Sequence, residues 1–118
     1  MLYKSKKIYV DESNVHGRGV FASEDIKKGE ILEECHFILV PFGDHPQILH
    51  DHFFAWPKFG EEGLALCLGY GSIFNHSEKN FNADWETDPQ KLKFIFYAVD
   101  NIQKGQEIFI NYKKNGQI

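Results

Sequence analysis

The strongest constraint on the fold of this chain is a short sequence unit that occurs twice. Residues 21–29 read Phe-Ala-Ser-Glu-Asp-Ile-Lys-Lys-Gly, and residues 97–105 read Tyr-Ala-Val-Asp-Asn-Ile-Gln-Lys-Gly. In each copy a glycine closes a polar turn, where it can adopt a positive φ and let the chain reverse into a new strand. Two copies 76 residues apart are too few for a solenoid. We therefore expect two similar β-turn-β units packed within one mostly-β domain.

The rest of the chain also reads as short strands joined by turns that contain glycine. With 118 residues it is expected to form one domain, with a core over about 8–112 and a short polar tail at 113–118. Alternating or β-branched and aromatic segments predict strands, whereas apolar residues at helical spacing, followed by Pro57, predict one short helix. The predicted strands are 7–11, 19–22, 31–40, 92–99 and 107–112, and the predicted helix is 46–56.

Composition excludes several classes of partner. The net charge is −4, with 13 basic and 17 acidic residues. The sequence has no dense run of Lys or Arg that could bind along a phosphate backbone, so direct nucleic-acid binding is not expected. The chain has no long apolar stretch and no signal-peptide pattern, so neither a membrane span nor secretion is expected. Cys35 and Cys67 form no Cys-x-x-Cys pair. We expect an intracellular protein with reduced thiols and no metal site, cytoplasmic or, with a viral or eukaryotic-host source, nuclear.

Three motifs are candidates for a functional site, although each alone has an ordinary structural explanation. The stretch His16-Gly17-Arg18-Gly19 lets the backbone approach a ligand, but an isolated Gly-x-Gly is usually a tight turn. Asn75-His76-Ser77 follows an apolar run, where a buried Asn and His either fix a loop or hold a polar ligand. Tyr112 ends the last strand, where most tyrosines only pack. No third glycine completes a dinucleotide-binding fingerprint, and no Gly-x-Ser-x-Gly elbow indicates a hydrolase.

In this order and at these distances, the three motifs resemble those of the SET-domain protein lysine methyltransferases. In length and in the residues of the motifs, the chain is most similar to the small stand-alone SET proteins of bacteria and viruses. The resemblance covers about residues 8–112. It implies a mostly-β, SET-like fold of several short curved sheets with a pseudo-knot, in which the segment carrying Tyr112 passes under the loop near Asn75, His76 and Ser77.

The resemblance also implies a function and roles for individual residues. Such a protein transfers a methyl group from S-adenosylmethionine to a lysine side chain of a basic protein, for example a histone tail. Tyr112 is the implied catalytic residue, standing beside the transferring methyl group. The implied cofactor contacts are His16, Gly17, Arg18, Gly19, Asn75 and His76, and residues near the implied substrate channel are His52, Trp85 and Ile110.

The sequence departs from the SET pattern at three places. Asp51-His52-Phe53-Phe54 has His52 where related small proteins carry a tyrosine. The motif after Ser77 has one added residue before Asn82 and lacks a proline. Only six residues follow Tyr112, so the cofactor site is expected to be either open or completed by a second copy in a homodimer. These departures leave one alternative, a SET-fold protein that binds a peptide or partner without catalysis.

Overall fold

The computed structural model describes residues 7–15, 17–41, 53–55, 63–88, 90–91 and 93–111. Nine strands form within these residues, and they make two sheets with the orders β1-β2-β9-β6 and β4-β5-β3-β8-β7. The strands are β1 Ile8–Glu12, β2 Arg18–Ala22, β3 Ile31–Pro41, β4 Phe53–Ala55, β5 Gly63–Cys67, β6 Asn75–His76, β7 Ala83–Asp88, β8 Lys93–Ala98 and β9 Glu107–Ile110.

The smaller sheet brings together segments that are far apart in the sequence. Strand β9 lies between β2, with which it pairs antiparallel, and β6, with which it pairs parallel. Val20 pairs with Ile108 on one side of β9, and His76 pairs with Ile110 on the other. Val20, Ile108 and Ile110, the apolar residues of these pairs, are fully buried. The inner face of this sheet is therefore apolar and packs against the core.

The larger sheet encloses an aromatic core. Strand β8 alternates strictly between partly buried and fully buried residues, so that Phe94 and Phe96 point to one face. The Phe54 ring contacts both of them and also Trp85, with ring centres 5.1 Å apart in the Phe54–Trp85 pair. Edge-on and tilted aromatic contacts of this kind add stability beyond the area they bury. Part of the aromatic content of the chain is thus used for packing.

The two copies of the repeat bind each other with near twofold symmetry. Ile26 and Ile102 exchange both backbone hydrogen bonds, at 2.7 and 2.8 Å. Each copy then places the side chain before its isoleucine on a backbone N–H of the other: Asn101 Oδ1 accepts from Lys28, and Asp25 Oδ1 accepts from Lys104, both at 2.9 Å. The closing glycines, Gly29 and Gly105, have φ of 92° and 86°. The expectation of two packed β-turn-β units is confirmed. The contact between residues 21–29 and 97–105, called the seam below, is where the two units meet.

The predicted strands agree with the structure to within about two residues, but the predicted helix is wrong where it can be compared. Phe53–Ala55 form strand β4, which pairs with Leu64 to Leu66 of β5. Residues 46–52 and 56 lie outside the described residues. In the sequence, Phe53, Phe54 and Ala55 form a short apolar run that suits either type of element, and cross-strand pairing with β5 decides in favour of a strand.

No helix in the described ranges is long and apolar enough to cross a membrane.

The symmetric seam predicts matched stability losses. Replacing Asp25 with Ala should lower the free energy of unfolding by about 1 kcal/mol, because the Lys104 N–H loses its acceptor. Asn101→Ala should cost a similar amount through Lys28. Urea unfolding followed by fluorescence measures both, with Glu24→Ala as the exposed control in the same turn. Losses no larger than that of the control would contradict the role assigned to the seam.

Candidate functional site

The loop between β1 and β2 is closed by its own hydrogen bonds. The Ser13 N–H donates to the Gly17 carbonyl at 2.8 Å, and the Val15 N–H donates to Ser13 Oγ at 3.0 Å. Asn14, Val15, Gly17 and Arg18 are exposed, so the closed loop presents backbone to solvent. These hydrogen bonds define the shape of the loop.

Asn75 joins this loop to β6 and β9. Its side chain is only 5% exposed, and Nδ2 donates to the Arg18 carbonyl at 3.1 Å and to Glu107 Oε2 at 2.8 Å. Both partners can only accept, so they fix which end of the amide carries the nitrogen. The backbone of Gly17-Arg18-Gly19 and the Asn75 side chain therefore form one unit.

Gly19 is required at this junction for lack of space. A Cβ on Gly19 would collide with the Glu107 carboxylate and would lie 3.0 Å from Asn75 Nδ2. Any larger residue would push the Glu107–Asn75 pair away from the β2 backbone. The second glycine of the Gly-x-Gly motif thus permits close approach between protein segments.

Asn82 holds the other end of the segment that begins with Asn75. Its Oδ1 accepts from the Phe109 N–H at 2.9 Å, and its Nδ2 donates to the Glu107 carbonyl at 3.0 Å, so its side chain pairs with β9 as a strand would. The Ser77 N–H also donates to the Ile110 carbonyl, at 3.0 Å. Segment 75–82 therefore binds β9 at both of its ends, which is consistent with the expected pseudo-knot.

A buried carboxylate supports the turn that leads into Asn75. Glu33 on β3 is 6% exposed and accepts the Tyr70 N–H at 2.9 Å. Gly69 has a φ of 74°, and a Cβ there would lie 2.5 Å from Glu33 Oε1. Burial raises the pKa of Glu33 to about 7, although hydrogen bonds from Tyr70 and the Cys35 thiol act in the opposite direction.

The two thiols lie next to this carboxylate in the core. Cys35 and Cys67 are both free and buried. Burial raises the pKa of the Cys67 thiol well above its ordinary value, and Cys35 and Glu33 add to the shift. A thiol held neutral in this way is a poor nucleophile, so Cys67 is a packing residue.

The buried polar residues in the described part of the chain are all associated with one region. They either belong to segment 68–82 or contact it: Glu33, Ser72, Asn75 and Asn82. Burying polar groups is unfavourable unless they are hydrogen-bonded, and these make bonds such as that from the Cys67 N–H to Ser72 Oγ at 2.9 Å. Such a concentration of satisfied polar groups indicates a segment whose conformation is tightly specified.

The structure brings together some of the predicted site residues and places others elsewhere. Arg18 and Gly19 meet Asn75 as described, and Gly17 precedes them in the chain. His76 is adjacent to Asn75 in β6, with its Nε2 3.8 Å from Glu78 Oε1. Ile110 pairs with His76 and is fully buried. Trp85 lies in the larger sheet, 6% exposed against Phe54. His16, His52 and Tyr112 are outside the described residues, so their assigned roles stay predictions.

Sequence reasoning assigned no role to Ser13, Glu33, Glu107 or to the side chain of Asn82. Glu107 was read only as the first residue of a strand, and nothing in its local pattern distinguishes it from a solvent-facing glutamate. Asn82 carries a weak signal, since the motif that follows Ser77 ends at this asparagine, just before a strand. Their contacts span 25 to 94 residues of sequence, which local patterns do not report.

Comparison with known proteins agrees with this fold. The sequence model of the SET domain matches residues 17–113, which is most of the chain. The chain therefore belongs to the SET domain family, whose methyltransferases use S-adenosylmethionine.

Solved structures give the same result. A Plasmodium falciparum protein described as a candidate histone methyltransferase is 36% identical, with a TM-score of 0.79 over 95% of this chain and 97% of that one. Polycomb Repressive Complex 2 of Chaetomium thermophilum, as a humanized mutant bound to the inhibitor GSK126, is 24% identical with a TM-score of 0.75. The same complex bound to S-adenosylmethionine is 22% identical, with a TM-score of 0.73. Both matches cover 95% of this chain but only 15–16% of the chains of that complex. A comparison with curated proteins gave no match.

No group of three or more His, Cys, Asp or Glu side chains suited to a metal ion occurs in the part of the chain that the structure describes.

The buried Glu33 predicts an inverse dependence of stability on pH. Its pKa rises from an ordinary 4.5 to about 7 on folding, so the folded state binds more protons in this window and stability falls as pH rises from 4.5 to 7. Replacing Glu33 with Gln keeps an acceptor for the Tyr70 N–H but removes the titrating group. The free energy of unfolding of the variant, relative to that of wild type, should therefore be higher at pH 8 than at pH 4.5 by up to about 3 kcal/mol. Urea unfolding across this range measures the difference.

Glu33→Leu separates the two effects of this carboxylate. It should likewise remove the contribution of Glu33 to the pH dependence, but it should be less stable than Glu33→Gln by about 1–3 kcal/mol at every pH, because the Tyr70 N–H loses its acceptor. Parallel stability curves for wild type and Glu33→Gln would show that the carboxylate does not titrate in this window.

Proposed function

We propose that this chain is a protein lysine N-methyltransferase that uses S-adenosylmethionine and acts on a lysine in a basic, histone-like segment. The single observation that carries the proposal is the junction of Gly17-Arg18-Gly19, Asn75 and β9 through hydrogen bonds of 3.1 and 2.8 Å. It joins two segments that the resemblance to the SET family assigns to the cofactor. Membership in the family and 36% identity to a candidate histone methyltransferase over 95% of the chain support the same proposal.

The described residues fit such a cofactor. The exposed loop of β1 and β2 offers backbone groups beside the buried, oriented Asn75 amide, and a polar ligand that lies along both would meet groups held in place. Gly17, Arg18, Gly19, Asn75 and His76 would hold the cofactor. When bound there, S-adenosylmethionine supplies a methyl group activated by the positive charge on its sulfur.

The remaining requirement is a neutral substrate amine aimed at that methyl group. A lysine with a pKa of about 10.4 is protonated at pH 7 and is then no nucleophile. An apolar channel beside a positive charge lowers the pKa of the amine by desolvation and like-charge repulsion. Tyr112, next in the chain after Asn111, is the proposed group that orients the amine, and the lysine proton leaves to solvent. Correct placement of the two reactants supplies much of the rate.

The catalytic assignment predicts that Tyr112→Phe lowers kcat for methylation of a lysine peptide by about a hundredfold or more. Its affinity for S-adenosylmethionine, measured by calorimetry, should stay within about threefold of wild type. Tyr9→Phe is the matched control, since Tyr9 stacks on Phe21 in the β1–β2 hairpin and its ring is retained. Unchanged turnover of the Tyr112 variant would contradict the assignment.

Two measurements on the wild-type chain test the function itself. Mass spectrometry of mixed histones after incubation with S-adenosylmethionine should show added methyl groups on lysine, and calorimetry should show binding of the cofactor. Cofactor binding and peptide binding without product would instead favour the non-catalytic alternative. Failure to bind the cofactor at all would overturn the proposal.

A further inference from the structure

Glu107, whose carboxylate accepts from Asn75, also binds a second segment of the chain through its other oxygen. It is the first residue of β9, is partly buried and pairs with Phe21 of β2. Its two carboxylate oxygens bind different parts of the chain: Oε1 accepts from Ser13 Oγ at 2.7 Å, and Oε2 accepts from Asn75 Nδ2 at 2.8 Å. Ser13 is 94 residues away in sequence and Asn75 is 32. One side chain thus ties the loop of β1 and β2 to strand β6.

The chemistry of a carboxylate suits this position. It has two oxygens that only accept, and both neighbours have a hydrogen to donate. Hydrogen bonds to an ionised acceptor are about twice as strong as those between neutral groups. A glutamine offers only one acceptor oxygen, so it could satisfy Asn75 or Ser13 in the same way, but not both.

The bonds that Glu107 makes determine the shape of the surface beside them. Ser13 Oγ also accepts from the Val15 N–H, so the carboxylate orients the hydroxyl that shapes the loop. Asn75 Nδ2 uses its second hydrogen on the Arg18 carbonyl, so the carboxylate also sets the orientation of the buried amide. Gly19 leaves the carboxylate just enough room against β2.

We propose that Glu107 is a positioning residue for the cofactor site, holding the loop of β1 and β2 and the Asn75 amide at a fixed separation without touching the cofactor itself. This inference rests on the proposed function, because it assigns the two joined segments to S-adenosylmethionine. A residue of this kind controls cofactor affinity and leaves the chemical step unchanged once the site is filled.

The test compares Glu107→Ala, Glu107→Gln and wild type. The dissociation constant for S-adenosylmethionine should rise about 10–100-fold in the Ala variant and less in the Gln variant, which keeps one of the two bonds. At saturating cofactor and peptide, kcat should stay within about threefold of wild type. A loss of folded protein would have the opposite signature, with lower kcat per mole of chain and unchanged KM.

A second variant reaches the same pair of side chains without removing a polar group. Gly19→Ala should displace the Glu107 carboxylate from β2 and raise the dissociation constant for S-adenosylmethionine to a similar extent. The control is Glu30→Ala. The Glu30 carboxylate also accepts two hydrogen bonds, from the Lys7 ammonium and the Lys27 N–H, but neither partner belongs to the loop of β1 and β2 or to β6. It should leave cofactor affinity within about twofold of wild type.

A structural readout accompanies the affinities. In Glu107→Ala, amide hydrogen exchange measured by NMR should accelerate at Ser13 and Val15, whose N–H groups close the loop. Wild-type cofactor affinity in the Ala variant would overturn the inference, as would a fall in kcat at unchanged affinity. Absence of cofactor binding by the wild-type chain would instead overturn the proposed function, so the two failures are distinguishable.

Discussion

The parallel pairing of β6 with β9 is the interaction on which the rest of the site depends. It places β9 between β2 and β6, and so brings residues 18–22, 75–76 and 107–110 side by side. Such pairing closes long loops, whose entropy is lost before any contact compensates for it. The apolar inner face of the sheet, with Val20, Ile108 and Ile110 fully buried, supplies the stabilisation. The site therefore exists only when the whole domain is folded.

Polar groups then convert this apolar arrangement into a specific one. Asn82 pairs with β9 through its side chain, and Asn75 and Glu107 join β6, β9 and the loop of β1 and β2. A buried amide without partners would cost more than its bonds contribute, so each of these groups disfavours any register other than the observed one. Glu33 likewise fixes the turn before Asn75, by accepting the Tyr70 N–H. Its raised pKa, about 7, means that this carboxylate is protonated at a higher pH than an ordinary glutamate.

The repeat shows why one part of the fold could be predicted and another could not. Asp25 and Asn101 occupy equivalent places in the two copies, and local turn chemistry was enough to predict two β-turn-β units. That each side chain binds the backbone of the other copy required their packing to be known. The same limit explains the wrong helix: Phe53–Ala55 have no decisive period of their own, and pairing with β5 made them a strand.

By itself, the sequence determined the fold class, most of the strands in both units, and the three motifs whose order resembles the SET family. It also brought Gly17, Arg18, Gly19, Asn75 and His76 into one expected site, and three of them, Arg18, Gly19 and Asn75, meet directly at the Arg18 carbonyl and the Asn75 amide. Only the tertiary structure decided that Glu107, Ser13 and Asn82 complete this junction, and that Trp85 packs in the aromatic core. The physical reason is range: strand and turn preferences act over a few residues, whereas these hydrogen bonds join groups that only the folded sheet brings within 3 Å of one another.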